Sequence, residues 1–211
     1  MVTTTSLKFL AFGAFLGLSA GISPGPLLTL VFTETLKHNR EAGIKVALSP
    51  LITDLPIILA SLLILSKLSQ FSMVLAMISF AGGIFIAFLG YETVKAEGFN
   101  PEEQQDHVPE SLRKGIITNF LNPHPYLFWV TVGTPLVLKA FEISIFTVVL
   151  FFMSFYFLLT GSKIVIVMIV ARSKAFIGNR VYKWIMRILG IILFMFSVFF
   201  IHDGLKYLFH G

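Results

Sequence analysis

The sequence predicts an all-α, polytopic membrane protein of six transmembrane helices. Three observations carry that expectation. Of the 211 residues, 56% are apolar and only 13% are charged, with a mean hydropathy of +0.87. Six apolar stretches long enough to cross hydrocarbon alternate with short polar breaks that hold nearly all the charge. Two of the stretches, the first and the fourth, are interrupted by paired prolines at corresponding places.

The composition excludes a soluble globule. A water-soluble domain carries roughly 25% charged residues, and this chain has too little polar surface to coat one. Phe alone contributes 23 residues, which suits helix faces turned to acyl chains. The net charge of +5 does not point to nucleic acid, because no basic run is interleaved with a soluble fold. In a membrane chain such an excess sets orientation and meets anionic headgroups. The absence of cysteine removes disulfides, thiolate metal sites and thiol relays.

A spanning helix needs about 20 mostly apolar residues. Segments meeting that length lie near 7–33, 44–65, 71–91, 116–138, 143–170 and 184–205. Residues 7–23 have the look of a signal peptide, with Lys8 as a thin basic region. Hydrophobicity resumes directly after Pro26, so the stretch reads as the first span. The whole chain, 1–211, then forms a single transmembrane domain. It divides into a first repeat over about 7–95, a cytoplasmic loop over about 96–112 and a second repeat over about 113–209. That loop carries Glu97, Glu102, Glu103, Asp106 and Glu110 and reads as a solvated connection.

Lys and Arg in the short loops give the orientation. One side carries Lys37, Arg40, Lys45, Lys95, Arg113, Lys114, Arg172, Lys174, Arg180 and Lys183; the other carries Lys8, Lys67, Lys139 and Lys206. The richer side is expected in the cytoplasm, which places both termini outside a cell inner (cytoplasmic) membrane.

The interruptions are Ser23-Pro24-Gly25-Pro26 and Asn122-Pro123-His124-Pro125. A proline removes a backbone donor and clashes with the preceding turn. Two at this spacing are expected to open the helix at Pro24, Gly25 and Pro26, and again at Pro123 and Pro125. Freed backbone groups cannot face lipid and must be buried in protein or line a wet cavity. Three spans per half cross in opposite senses, which makes a 3+3 inverted-topology repeat. In such repeats broken helices form the substrate site near midplane. The bland reading of each proline pair is a kink in a packed helix; the matched positions favour a site.

Asp54 lies near the middle of the second span, where a carboxylate costs about 2.5–3.5 kcal/mol or more. It is expected to face the bundle interior and to bind substrate or carry a proton, against a structural bond to backbone freed near Pro50 or Pro56. Lys163 in the fifth span has small polar neighbours, Thr160, Gly161 and Ser162. It either lines the interior, where it could pair with Asp54, or snorkels to the interface. Ser23, Asn122 and His124 belong to the interruptions and complete the candidate substrate-binding or coupling set. His124 has no second ligand at a helical spacing, so neither a metal nor any cofactor is expected. Glu34 reads as a solvated residue at the cytoplasmic mouth, and Gly82, Gly83 and Gly90 as a close helix contact.

Gly21-Ile22-Ser23-Pro24-Gly25-Pro26 resembles the first-span motif of the lysine-exporter (LysE-type) translocator family. Residues 43–54, with Ala47-Leu48 inside them, resemble its second-span motif. Residues 115–129, with Asn119-Phe120-Leu121-Asn122-Pro123-His124-Pro125 at their centre, resemble its fourth-span motif. The likeness implies a six-span inner-membrane exporter of amino acids or related metabolites, driven by the proton gradient and not an enzyme. Ser49 and Thr53 stand where the family usually has glycine, and His124 where many members have lysine. The last departure removes a fixed positive charge and points away from the basic amino acids that named the family.

The partners expected are a small-molecule substrate, an amino acid or similar, and the lipid bilayer. A homodimer is compatible with the sequence, which does not demand one. An exporter of another small solute or of a metal ion would need several inward carboxylates or histidines, and only Asp54 qualifies. A membrane-embedded lipid-modifying enzyme would need a catalytic set at one depth; no Ser-His-Asp order or His-Glu-x-x-His occurs in the spans.

Overall fold

The computed structural model describes residues 4–64, 71–96, 110–174 and 177–209, and every regular element among them is helical. In chain order these are α1 (Thr4–Ile22), α2 (Pro26–Lys37), α3 (Arg40–Ile64), α4 (Phe71–Val94), α5 (Ser111–Phe120) and α6 (Pro123–Phe128). A π-helical turn over Trp129–Gly133 leads into α7 (Thr134–Ile143), then α8 (Ile145–Lys174) and α9 (Asn179–Phe209). Among the described residues, six helical runs are long and apolar enough to cross a membrane. Of the expected acidic loop, Glu97, Glu102, Glu103 and Asp106 lie outside the described residues.

Two span boundaries differ from the sequence reading. The run expected over 7–33 is two helices, because α1 stops at Ile22 and the chain restarts at Pro26. The run expected over 116–138 is divided among α5, α6, the π-helical turn and α7. Its membrane-length portion is Pro123–Ile143. Pro26 and Pro123 each stand at the first position of a new helix, where a missing N–H costs nothing.

Pro50 and Pro56, by contrast, lie inside α3 without ending it. Pro50 offers no N–H to the Val46 carbonyl, and the Ser49 hydroxyl donates to that oxygen instead, at 2.8 Å. A helix can carry a proline through when a neighbouring side chain takes over the orphaned acceptor.

Packing is set by small residues. On α1, Gly13, Gly17 and Gly21 recur every four residues and face α8. A Cβ on Gly13 or Gly17 would collide with the backbone carbonyls of Phe151 or Phe155. The two backbones therefore touch, as small residues allow in membranes. Ser6 and Thr147 join hydroxyls across the same contact at 2.9 Å. α4 packs on α9 in the same way: a Cβ on Gly90 would lie 3.1 Å from the Gly190 carbonyl, and one on Gly190 2.9 Å from the Gly90 carbonyl. Gly83 meets the Ser197 carbonyl, and Gly82 meets the Leu121 carbonyl beside the second interruption.

The outer faces are apolar, with Phe157, Ile84 and Phe15 at 76%, 70% and 68% exposure. Such residues match lipid and would be a liability in water. Inside, Trp129, Phe151 and Phe155 form an aromatic core between α8 and the π-helical turn. A second core gathers Leu30 and Val31 of α2 with Val46, Ile86 and Leu193.

Gly17→Leu is expected to force α1 off α8 at an overpacking cost of about 1–3 kcal/mol. Thermal unfolding of the detergent-solubilised protein should show a lower midpoint, while Ile84→Leu on the lipid face should leave it unchanged. Equal midpoints for Gly17→Leu and wild type would contradict the contact.

Candidate functional site

The interruption in α1–α2 and the one in α5–α6 line a single cavity of about 480 Å³. Ser23, Pro24, Gly25 and Pro26 border it from one side, and Asn122, His124 and Pro125 from the other. Asp54 of α3 and Lys163 of α8 also line it. Pro123 is buried behind the lining at the start of α6. All five candidate binding residues thus meet around one space, and the remaining wall is largely aliphatic and aromatic.

Asp54 is 5% exposed. Its carboxylate accepts from Asn119 Nδ2 at 3.1 Å and from the Tyr156 hydroxyl at 3.3 Å. The Asn119 amide also donates to the Thr53 hydroxyl at 2.6 Å, so one side chain of α5 clamps two neighbours on α3. A buried carboxylate is tolerated when donors surround it. The bond to backbone near Pro50 or Pro56 is not the arrangement found; Asp54 is held by side chains.

Lys163 is 3% exposed and does not snorkel. Its ammonium donates to the carbonyls of Ala20 and Gly21, at 3.2 and 3.1 Å. Its hydrogen bonds run to these carbonyls, while those of Asp54 come from Asn119, Tyr156 and Trp129, so the two charges face one cavity without pairing directly. The Asn122 side chain accepts the His124 backbone N–H at 3.0 Å and so caps α6. His124 is exposed and meets Phe200 edge to face at 6.0 Å.

Asn119, Tyr156 and Trp129 are not among the residues the sequence marks as candidates, although Asn119 and Trp129 lie within the fourth-span motif. Tyr156 is a lone hydroxyl in a run of phenylalanines, and nothing local to it marks its direction.

A second polar cluster lies at the Lys- and Arg-rich end of the bundle. Glu34 is not solvated, as its position near a helix end suggested, but 1% exposed. Its carboxylate accepts from the Ser111 hydroxyl and lies 3.4 Å from Lys114 and 3.7 Å from His38. Lys114 also reaches Glu92 at 2.8 Å, and Lys37 pairs with the same carboxylate. The Lys174 ammonium donates to the His38 carbonyl at 2.6 Å. α2, α4, α5 and α8 are thus tied together by charge. Burial would by itself lower Lys114, but Glu34 and Glu92 outweigh it and raise the ammonium above its ordinary 10.5. Burial also dominates at His38 and, against the pull of Glu34, keeps the imidazole below its ordinary 6.5; Lys37 and Lys114 lower it further and Glu92 opposes them.

Membrane-length helices surrounding a cavity lined by a buried carboxylate and a buried ammonium define a multi-pass membrane protein of the transporter class. A family model described as LysE type translocator matches residues 18–204, and the chain belongs to that family. No curated protein and no solved structure matches it.

Because the unfolded chain takes up the His38 proton near 6.5 and the folded chain only at lower pH, stability should fall as pH drops through 6.5 and level off below the folded value. Melting curves from about pH 7.5 to about 5.5 test this, and His38→Gln should flatten that part of the profile. Glu34→Ala takes the acceptor from the buried Ser111 hydroxyl and leaves Lys114 with Glu92 alone, and should cost about 1–3 kcal/mol, read as a lowered unfolding midpoint; an unchanged midpoint would show the Glu34 contacts to be energetically idle.

Proposed function

We propose that this chain exports an amino acid or a related small polar metabolite across the cytoplasmic membrane, coupled to protons. The observation that carries the reading is the convergence of both helix interruptions, one buried carboxylate and one buried ammonium on a single cavity of about 480 Å³. That volume suits a small metabolite, within the ~300–1,000 Å³ range of ligand pockets. Membership of the translocator family supports the same reading.

The cargo's ammonium group binds Asp54, or competes there with a proton. Its carboxylate binds amides in the opening turn of α2, where Leu27 and Leu28 line the cavity and the helix dipole favours negative charge. Lys163 and His124 adjust the charge of the site. The aliphatic and aromatic wall accommodates the rest of the molecule.

The two halves form a 3+3 inverted repeat with proline-broken helices, and the packing supports it. α1 lies on α8, and its counterpart α5 lies on α3; α4 and α9, the third span of each half, lie on each other. Ala20 and Asn119 each stand four residues before the first proline of their interruption. Rocking of one half against the other then alternates access to the site. The Lys- and Arg-rich end faces the cytoplasm, which places both termini outside.

Comparison of metabolites in the medium of cells with and without the protein should reveal one compound that appears outside only when the protein is present. In vesicles loaded with that compound, Asp54→Asn should slow gradient-driven efflux about 10-fold or more, as expected from losing a charge-assisted bond of about 1.5–3 kcal/mol. Unchanged flux would remove Asp54 from the mechanism.

A further inference from the structure

Pro24 has no N–H, so the Ala20 carbonyl, four residues earlier, has lost its helical donor. α1 ends at Ile22 and Gly25 is fully extended, with φ −175° and ψ 176°, so the Gly21 carbonyl has lost the donor it would have found there. Two acceptors are left side by side at a helix C-terminus, where the dipole adds partial negative charge. Asp54 lines the same cavity. Unwound backbone carbonyls at a half-helix C-terminus are how broken-helix membrane proteins hold Na⁺. Here the ammonium of Lys163 rests on both carbonyls, at 3.2 and 3.1 Å.

The second interruption shows that a charge is not needed merely to satisfy such a carbonyl. Phe120 matches Gly21 when the two proline pairs are superimposed, and its carbonyl accepts from the neutral Tyr126 hydroxyl at 2.9 Å. A buried lysine is far more costly than a hydroxyl. Its presence at one interruption and not at the other marks the end of α1 as a place that selects positive charge.

We propose that the C-terminus of α1 is a monovalent-cation site whose resident cation is the Lys163 ammonium. The wild-type chain takes no Na⁺ there, and a chain with Lys163 cut back takes Na⁺ in its place, with cavity water completing the shell. No cargo enters the inference, so it stands or falls separately from the export reading.

The test is thermal unfolding of the full-length protein in detergent, with NaCl replaced at equal ionic strength by N-methyl-D-glucamine chloride, a cation too large for the site. Wild type and Lys163→Arg should melt at the same temperature in both salts. Lys163→Ala should melt lower in N-methyl-D-glucamine and recover by about 3 °C or more in NaCl, the size of shift that a ligand well above its dissociation constant gives a chain of this length. A Lys163→Ala protein indifferent to Na⁺, K⁺ and Li⁺ would overturn the proposal. So would wild-type protein stabilised by Na⁺ as strongly as the variant. Should Lys163→Ala aggregate in both salts, Lys163→Gln, which keeps a donor for one carbonyl, decides by the same criteria.

Discussion

In hydrocarbon a carbonyl that loses its helical donor has no water to turn to, and leaving it bare costs several kcal/mol. Pro24, Pro50 and the two helix ends at the interruptions create such oxygens, and the architecture around the cavity follows from how they are covered. The Val46 carbonyl takes the Ser49 hydroxyl, the Phe120 carbonyl takes the Tyr126 hydroxyl, and the Ala20 and Gly21 carbonyls take the Lys163 ammonium. The first repair is local and leaves α3 continuous. The others leave real gaps in the helices, and the gaps become the walls of a cavity.

Those repairs demand close approach. Lys163 can reach α1 because Gly13, Gly17 and Gly21 let the backbones of α1 and α8 touch. The same helix brings Tyr156 to Asp54 and Phe155 to Trp129. α8 is therefore the element on which the charge, the aromatic core and the first interruption all depend. Thr53 extends the network by accepting from Asn119 and so fixes the amide that also holds Asp54.

The Glu34 cluster sits two turns along α2 from the cavity. Between them Leu30 and Val31 are fully buried among Val46 and Ile86. Charge thus appears at both ends of a short dry helix: around the cavity at its start, and in ion pairs with α4 and α5 near its end. Under the inverted-repeat reading, those ion pairs join elements of both halves and any rocking motion must strain them.

The sequence by itself determined the all-helical membrane class and the six membrane-length helices found among the described residues. These are consequences of local covalent chemistry: apolar length and charge confined to the loops. It also marked Asp54, because a carboxylate in the middle of a span is costly wherever the helix turns. Tertiary structure decided everything that depends on direction. Pro50 and Pro24 are alike as residues, yet one helix continues and the other stops. Glu34 was expected in water near a helix end and is buried, because Ser111, Lys114 and His38 arrive from other parts of the chain. Lys163 was ambiguous between interface and interior, and only the glycine-lined contact with α1 turned it inward. A side chain's partners lie across the bundle, and periodicity along a single helix carries no record of which neighbour will meet it.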